Sequence, residues 1–137
     1  IKFAIDNTEE FRMADGGTFH ANNDVIAFSS TVSSDKKLKT NIENINYGLS
    51  DVLKLNGRQF DWKRKDRGHD IGFIAQEVEE VIPELVQEVD GLNGEDSFKT
   101  VDYAKTTAVL VEAIKEQQKQ IEDLKSEIKE LKNGSTR

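Results

Sequence analysis

A heptad pattern near the end of the chain constrains its fold more than any other feature. From residue 110 to residue 131, apolar residues and one glutamine are spaced alternately by four and three residues. This spacing places them along one side of an α-helix and is typical of a coiled coil. The positions, which we call the heptad seam, are Leu110, Ile114, Gln117, Ile121, Leu124, Ile128 and Leu131. We therefore predict a helix from about Tyr103 to Lys132, capped by Asp102 and ended by Asn133-Gly134.

Composition excludes several classes of function. The chain has 137 residues, 36% hydrophobic and 33% charged, which is about one domain with a modest core. Its dispersed net charge of -7 argues against binding to nucleic acid. It has no cysteine, and His20 and His69 lack ligand-like spacing, so we expect no disulfide, metal or cofactor. No apolar run approaches the roughly 18 residues of a membrane span, so we expect no membrane partner.

The first 33 residues are predicted to be rich in β-structure. Strand-like runs occur at 1–5, 11–13 and 25–28, with turn signals at Asp15-Gly16-Gly17 and Asn22-Asn23-Asp24. No lysine occurs between Lys2 and Lys36, which marks a change of composition. The segment is either a β-meander of one domain or, as we prefer, the end of a β-rich part of a longer parent protein.

The middle of the chain predicts short helices and strands, and hence an α+β fold. A helix capped by Asn46 is followed by strands over 58–64 and 70–75, the second burying Ile71, Phe73 and Ile74. From Gln76 a helix is expected to bury Val78, Val81, Ile82 and Leu85 until Pro83 limits it. Runs at 86–89 and 98–101 flank a turn at 90–97, which predicts a hairpin.

Two groups of side chains in this region admit a functional and a structural interpretation. Glu77, Glu79, Glu80 and Glu84 could form a metal site, but they are offset from the apolar stripe, which favours a solvated helix face. Phe60 and Trp62 share one strand face and are interpreted as core residues rather than as a binding platform.

Three short blocks carry a resemblance to a known family. They are Ser34-Asp35 with Lys37, Lys39 and Asn41-Ile42, then Phe60-Asp61-Trp62-Lys63, then Gly72-Phe73-Ile74-Ala75-Gln76-Glu77-Val78. In this order, ahead of a heptad helix, they resemble the self-cleaving intramolecular chaperone domain of peptidase family S74. That domain ends phage tail spikes, tail fibres and neck appendages, and also occurs in myelin regulatory factors. The resemblance covers roughly residues 34 to 132.

The resemblance implies where the chain divides and which residues act. Residues 1–33 would end the fibre shaft, and 34–137 would be the chaperone domain, with 103–132 its coiled-coil helix. Cleavage would fall between Ser33 and Ser34, with Ser34 as nucleophile and Lys39 as general base. The serine doublet leaves open which hydroxyl acts; Ser34 fits the family pattern. Asp35 and His69 are auxiliary candidates, although His69 also fits a surface-loop histidine.

Spacing constrains this proposed dyad. In a regular strand, residues 34 and 39 would lie about 16 Å apart with their side chains on opposite faces. Either the segment turns sharply around Asp35 to Lys37, or Lys39 acts on a neighbouring chain.

The number of chains in the assembly is a further question. Isoleucine and leucine at alternate seam positions favour two strands, whereas the resemblance implies a homotrimer. We expect three, since the seam is short and the preceding domain would decide the number. An alternative is a single amphipathic helix packed on its own domain, disfavoured because residues 115 to 132 have only a narrow apolar stripe.

The expected function is therefore an intramolecular chaperone for a phage tail fibre, spike or appendage. Its partners would be two further copies of itself and the upstream fibre segment of its own chain. The parent protein would assemble in the host cytoplasm and reside in the virion tail, without the released domain. Two alternatives are a trimerisation domain that does not cleave, and the equivalent domain of a membrane-tethered transcription factor.

Overall fold

The computed structural model describes residues 2–5, 7–14, 17–21, 24–64, 66–91 and 95–134. Within them the chain forms small strands, short helices and one long helix, which confirms the α+β class. It divides into two units, the described parts of Ile1–Glu43 with Val89–Phe98, and of Asn44–Glu88 with Lys99–Arg137. The predicted division between residues 33 and 34 concerns a cleavage event and stays a prediction.

The first unit contains a three-stranded antiparallel sheet. Its strands are β1 (Lys2–Ile5), β2 (Thr8–Met13) and β3 (Phe19–Ala21), in the order β1-β2-β3. Aromatic rings hold neighbouring strands together, because Phe11 lies 4.4 Å from Phe3 and 5.6 Å from Phe19 between ring centroids. Residues 24–35 run without regular structure to a 3-10 turn at Lys36–Leu38.

The second unit contains the remaining elements. They are α1 (Leu49–Val52), β4 (Arg58–Asp61), β5 (His69–Gly72), α2 (Ala75–Glu79), a 3-10 turn (Pro83–Leu85), β6 (Val86–Val89), β7 (Phe98–Val101) and α3 (Tyr103–Gly134). The last residue of β6, Val89, and the first residue of β7, Phe98, are assigned to the first unit. β4 and β5 form an antiparallel hairpin, and β6 pairs with β7 as expected. Asp102 caps α3 as expected, because its carboxylate accepts a hydrogen bond from the Lys105 N–H at 3.1 Å.

A small core joins α2 to the first turns of α3. Val78, Ile82 and Leu85 are buried against Val109. The partly buried side chains packed around them are Tyr47, Val52, Leu55, Phe73, Val81, Val86 and Val101. The prediction that Val78, Ile82 and Leu85 lie inward is confirmed. The prediction of one helix as far as Pro83 is wrong, because α2 ends at Glu79 and Leu85 lies in the 3-10 turn that follows. Pro83 opens the 3-10 turn after α2, where its missing N–H costs no hydrogen bond.

Several local predictions are wrong. Residues 25–28 form no strand, since the described part of this chain offers no strand to pair with them, and β3 was not predicted. Gly48 rather than Asn46 precedes α1, and its N–H is bonded to the Asp51 carboxylate. The second predicted strand ends at Gly72 rather than at residue 75. Ile71 is 72% exposed and Ile74 is 36% exposed, because a two-stranded hairpin buries little on either face.

Other predictions fall partly outside the described residues, namely the turn residues Asp15-Gly16 and Asn22-Asn23 and part of the 90–97 turn. Among the described residues, no three histidine, aspartate or glutamate side chains cluster as metal ligands. In the same residues, no helix combines the length and the apolar character that crossing a membrane requires.

Candidate active site

A tight turn organises the segment that contains the proposed dyad. Asp35 precedes the 3-10 turn, and its carboxylate accepts a hydrogen bond from the Lys37 N–H at 2.9 Å. The same carboxylate forms an ion pair with the Lys37 ammonium at 3.3 Å. Backbone bonds from Leu38 N to Asp35 O and from Lys39 N to Lys36 O close the turn. Aspartate suits this place because its short side chain satisfies an N–H that the turn leaves unpaired.

This turn brings the side chains of Ser34 and Lys39 together. The Lys39 Nζ atom donates a hydrogen bond to the Ser34 Oγ atom at a distance of 2.6 Å. The two residues are five positions apart, and both are exposed in the single chain. Of the two arrangements that spacing allowed, the structure has the sharp turn, with the contact inside one chain.

Beyond Lys39 the chain leaves the turn through Asn41. This residue has a φ of 50°, in the left-handed region that asparagine tolerates better than most residues. Asn41 belongs to the first of the three sequence blocks, and its backbone conformation accounts for the type of residue found there. It redirects the chain immediately after the Ser34–Lys39 contact.

The second sequence block builds the β4–β5 hairpin. The Trp62 Nε1 donates a hydrogen bond to the Asp70 carboxylate at 3.1 Å, which holds the pKa of Asp70 below its ordinary value. Phe60 packs edge-on against Trp62 with ring centroids 5.4 Å apart, and the Arg67 guanidinium lies 5.0 Å from the Trp62 ring centroid. These contacts account for both aromatic residues within the hairpin. The prediction of Trp62 as a core residue is wrong, however, because it is 41% exposed in a hairpin of two strands.

His69 lies in the same hairpin. Its Nδ1 atom is 2.9 Å from the Asp61 carboxylate, and the side chain is exposed. Asp61 and His69 are paired across β4 and β5, so this contact follows from strand register. His69 is therefore accounted for as a hairpin residue, and its auxiliary role stays a prediction.

Three of the four glutamates of the α2 region contact separate partners. Glu77 forms an ion pair with Arg58 at 2.9 Å, and Glu79 pairs with Lys99. The Tyr47 hydroxyl donates to Glu84 at 2.7 Å, which raises the pKa of Tyr47 above its ordinary value. These separate pairings fit side chains on a protein surface better than a shared metal site.

The heptad seam lies on α3 and is uncovered in the single chain. Its apolar residues, from Leu110 to Leu131, have exposed fractions between 40% and 73%. Toward the N-terminus of the same helix, Thr106, Val109 and Ala113 are buried. The seam is thus distinct from the face that packs on the core.

Two contacts had no signal in the sequence, namely the hydrogen bond from the Lys39 N–H to the Lys36 carbonyl and the contact of Glu116 with α1. The Glu116 carboxylate accepts a hydrogen bond from the Leu49 N–H at 2.8 Å and thereby ties α1 to α3. Such long-range contacts between polar groups carry no periodicity that a sequence pattern could show.

Part of the chain is similar to a known protein family. Residues 34–87 match the family model Peptidase S74, described as chaperone of endosialidase. The match covers 54 of the 137 residues of the chain. The matched range begins at Ser34 and contains the turn, the hairpin, α2 and the first part of β6.

The chain also resembles phage tail fibre proteins. The long tail fibre protein Gp37 of Enterobacteria phage K3 is 32% identical over 126 residues, which cover 89% of this chain and 10% of that protein. Gp37 of Enterobacteria phage Ox2 is 31% identical over 116 residues, covering 80% of this chain and 45% of that protein. Gp37 of Salmonella phage S16 is 34% identical over 110 residues, covering 74% and 14%. The chain thus spans about a tenth of the length of the relative from phage K3.

Proposed function

We propose that this chain is the intramolecular chaperone of a phage tail fibre, which assembles as a homotrimer and then cuts itself between Ser33 and Ser34. The 2.6 Å contact between Lys39 Nζ and Ser34 Oγ, at the first residues of the Peptidase S74 range, carries the catalytic part of this proposal. The similarity to long tail fibre proteins carries the assembly part.

The proposed reaction is a single hydrolysis of the chain's own backbone. Ser34 Oγ attacks the carbonyl carbon of Ser33, and its proton passes to the neutral amine of Lys39. The bond from that carbon to the Ser34 nitrogen breaks as the lysine returns the proton to this nitrogen. An ester joins the two residues until water hydrolyses it. The products are a carboxylate on Ser33 and a free amine and hydroxyl on Ser34.

The reaction requires a neutral lysine. Lysine side chains ordinarily titrate near pH 10.4, and burial or nearby positive charge favours the neutral form. Lys36 and Lys37 in the turn supply nearby positive charge, although Asp35 pairs with Lys37. In our proposal the assembly of three chains removes water from the exposed turn and completes the activation, so cleavage follows assembly.

The assembly role rests on the exposed heptad seam. Three copies of α3 that pack through their seams would bury apolar side chains that one chain leaves in water. Joining the C-terminal ends raises the effective concentration of the upstream segments for one another. Interchain β-structure otherwise forms slowly, because non-local pairing loses chain entropy before contacts compensate.

Substitution of the two neighbouring serines tests the catalytic assignment. Ser34→Ala removes the proposed nucleophile. Ser33→Ala removes a hydroxyl from the adjacent residue and leaves the proposed nucleophile in place. We expect intact mass to show uncleaved chain for Ser34→Ala and a fragment beginning at residue 34 for Ser33→Ala. Loss of cleavage in Ser33→Ala alone would reassign the nucleophile, and cleavage in Ser34→Ala would refute the dyad.

A second candidate function is a trimerisation domain that stays attached to the fibre. The exposure of both Ser34 and Lys39 favours it, because a catalytic lysine works best when it is shielded from water. A parent chain that remains intact while it forms a stable trimer would support this candidate.

A further inference from the structure

Helix α3 has two apolar faces, and only one is covered in the single chain. Thr106, Val109 and Ala113 pack into the core, while Leu110 and Ile114 on the neighbouring face are exposed. Leu110 and Ile114 each follow a buried residue by one position, which is about 100° around the helix axis, so the exposed stripe runs beside the buried one. The covered stripe fixes the orientation of the exposed one relative to the β4–β5 hairpin.

The exposed stripe extends further toward the N-terminus than the heptad seam. Tyr103 is seven residues before Leu110, so it occupies the same heptad position one repeat earlier. Its side chain is 54% exposed. Seven residues are about two turns of helix, which places both side chains on the same side of α3.

Tyr103 is fixed against the hairpin rather than free to move. Its ring stacks on Phe73 with centroids 5.6 Å apart, and its hydroxyl accepts a hydrogen bond from the Phe73 N–H at 2.8 Å. A Cβ atom on Gly72 would stand 2.6 Å from the tyrosine oxygen, so the close approach depends on glycine there. The end of β5 and the start of α3 therefore form one continuous surface.

Ile71 belongs to that surface. It is 72% exposed, and it lines an open groove of about 430 Å³ together with Phe73 and Tyr103. Arg58 lines the same groove and is neutralised by its ion pair with Glu77. The groove is thus a mainly apolar continuation of the exposed stripe.

We propose that this groove, centred on Ile71 and Tyr103, is covered by a second copy of the same chain. The inference rests on the proposed self-association through the heptad seam. When parallel helices pack through equivalent positions, each copy presents the same side to the common axis. Tyr103 is in register with the seam, so its surroundings also face a neighbouring copy. The interface then begins on the β4–β5 hairpin rather than at Leu110.

Thiol accessibility tests this placement, because the chain contains no cysteine. Ile71→Cys introduces a single thiol in the proposed interface, and Leu53→Cys introduces one at a comparably exposed residue, 75%, at the end of α1. Both variants of the full chain are treated with iodoacetamide at a concentration where sedimentation shows the assembly. The treatment is repeated on double variants that also carry Ile121→Asp, a substitution that should prevent the seams from packing together.

The proposal predicts that assembly slows alkylation at position 71 at least about tenfold and leaves position 53 unchanged. If assembly slows alkylation at position 71 no more than at position 53, the groove proposal is wrong, while the proposal of the seam as an interface stands. A chain that sediments as a monomer at all concentrations would overturn the seam, and the groove proposal with it. As a second measurement, Ile71→Lys should raise the concentration at which the assembly dissociates, and Leu53→Lys should not.

Discussion

At the scale of single residues, the proposed chemistry depends on the Asp35 carboxylate, which holds the turn between Ser34 and Lys39. Asp35 receives the Lys37 N–H and thereby holds the turn that returns Lys39 to Ser34. In this arrangement Asp35 is a positioning residue, and the serine and lysine would be the catalytic ones. The distinction leads to different expectations for the three positions.

Lys39→Arg should abolish cleavage without preventing assembly. Arginine keeps the positive charge and can still donate a hydrogen bond, but it does not lose its proton in a protein and cannot act as a base. Intact mass over time after folding measures the effect. The matched control is Lys36→Arg in the same turn, which should cleave at the normal rate. Cleavage of Lys39→Arg at that rate would contradict the role of the amine.

Substitution of Asp35 should separate positioning from charge. Asp35→Asn keeps an acceptor for the Lys37 N–H, so cleavage should stay within a few-fold of the parent rate. Asp35→Ala removes the acceptor at a cost of about 1 kcal/mol to the turn, which slows cleavage by roughly fivefold. The pH dependence of the rate should keep its shape in both variants. An altered profile would show that Asp35 acts on the amine itself.

At the scale of secondary-structure elements, the regular helices were predictable and the irregular turns were not. The stripe of Val78, Ile82 and Leu85 and the cap at Asp102 follow from spacing and from the chemistry of helix ends. The 3-10 turn at Lys36–Leu38 has no such period, since three residues cannot display one. Ser34 and Lys39 could be named from the family resemblance, but their contact could not be derived from it.

The errors at this scale have a common physical origin. Residues 25–28 have strand-forming side chains, but a strand needs a partner that this chain does not supply among its described residues. Ile71 follows the alternation of a strand residue, but no described element of the chain packs over this side chain, which stays exposed. A local pattern reports preference, whereas burial depends on elements distant in sequence or on other chains.

Truncation of the core should destabilise the second unit. Ile82 is 1% exposed and lies between α2 and α3. Ile82→Ala removes buried methylene groups and leaves a cavity, which should lower the free energy of unfolding by about 2–5 kcal/mol. Urea denaturation followed by circular dichroism measures the change. Leu53→Ala, at an exposed position, should change it by less than about 0.5 kcal/mol.

Acid should weaken the start of α3 through Asp102. Its hydrogen bond from the Lys105 N–H, with help from the Lys105 ammonium, holds the pKa of Asp102 below its ordinary value of 3.8. A carboxyl with a depressed folded pKa stabilises the fold above the unfolded pKa, and this contribution is lost as pH falls through the folded value. The melting temperature should therefore drop as pH falls below about 4. Asp102→Asn, which can still cap the helix, should reduce that drop, and an unchanged profile would contradict the assignment.

At the scale of the whole molecule, the second unit exposes a surface that we propose as an interface between copies of the chain. The seam of α3 is exposed and continues onto Tyr103, while the core of the unit is small. We expect the missing burial to come from two further copies, although the isoleucine and leucine pattern alone favours two strands. Gln117 in the seam would then help to fix the register at some loss of stability.

Disruption of the seam should reduce both assembly and cleavage. Ile121→Asp places a charge at a core position, and analytical ultracentrifugation should show a shift from trimer to monomer. Lys119→Asp introduces the same residue on the outward side of the same turn and should leave the trimer intact. Because the proposal makes cleavage follow assembly, the Ile121→Asp chain should also cleave more slowly. A normal cleavage rate in a monomer would separate the two activities.

The most direct test of self-cleavage is the intact mass of the freshly folded parent chain, followed over time together with its molar mass in solution. The account predicts that a trimer forms first and that a fragment whose first residue is Ser34 then accumulates until the full-length mass disappears. A folded trimer with Ser34 and Lys39 unaltered that keeps its full-length mass indefinitely would contradict the account.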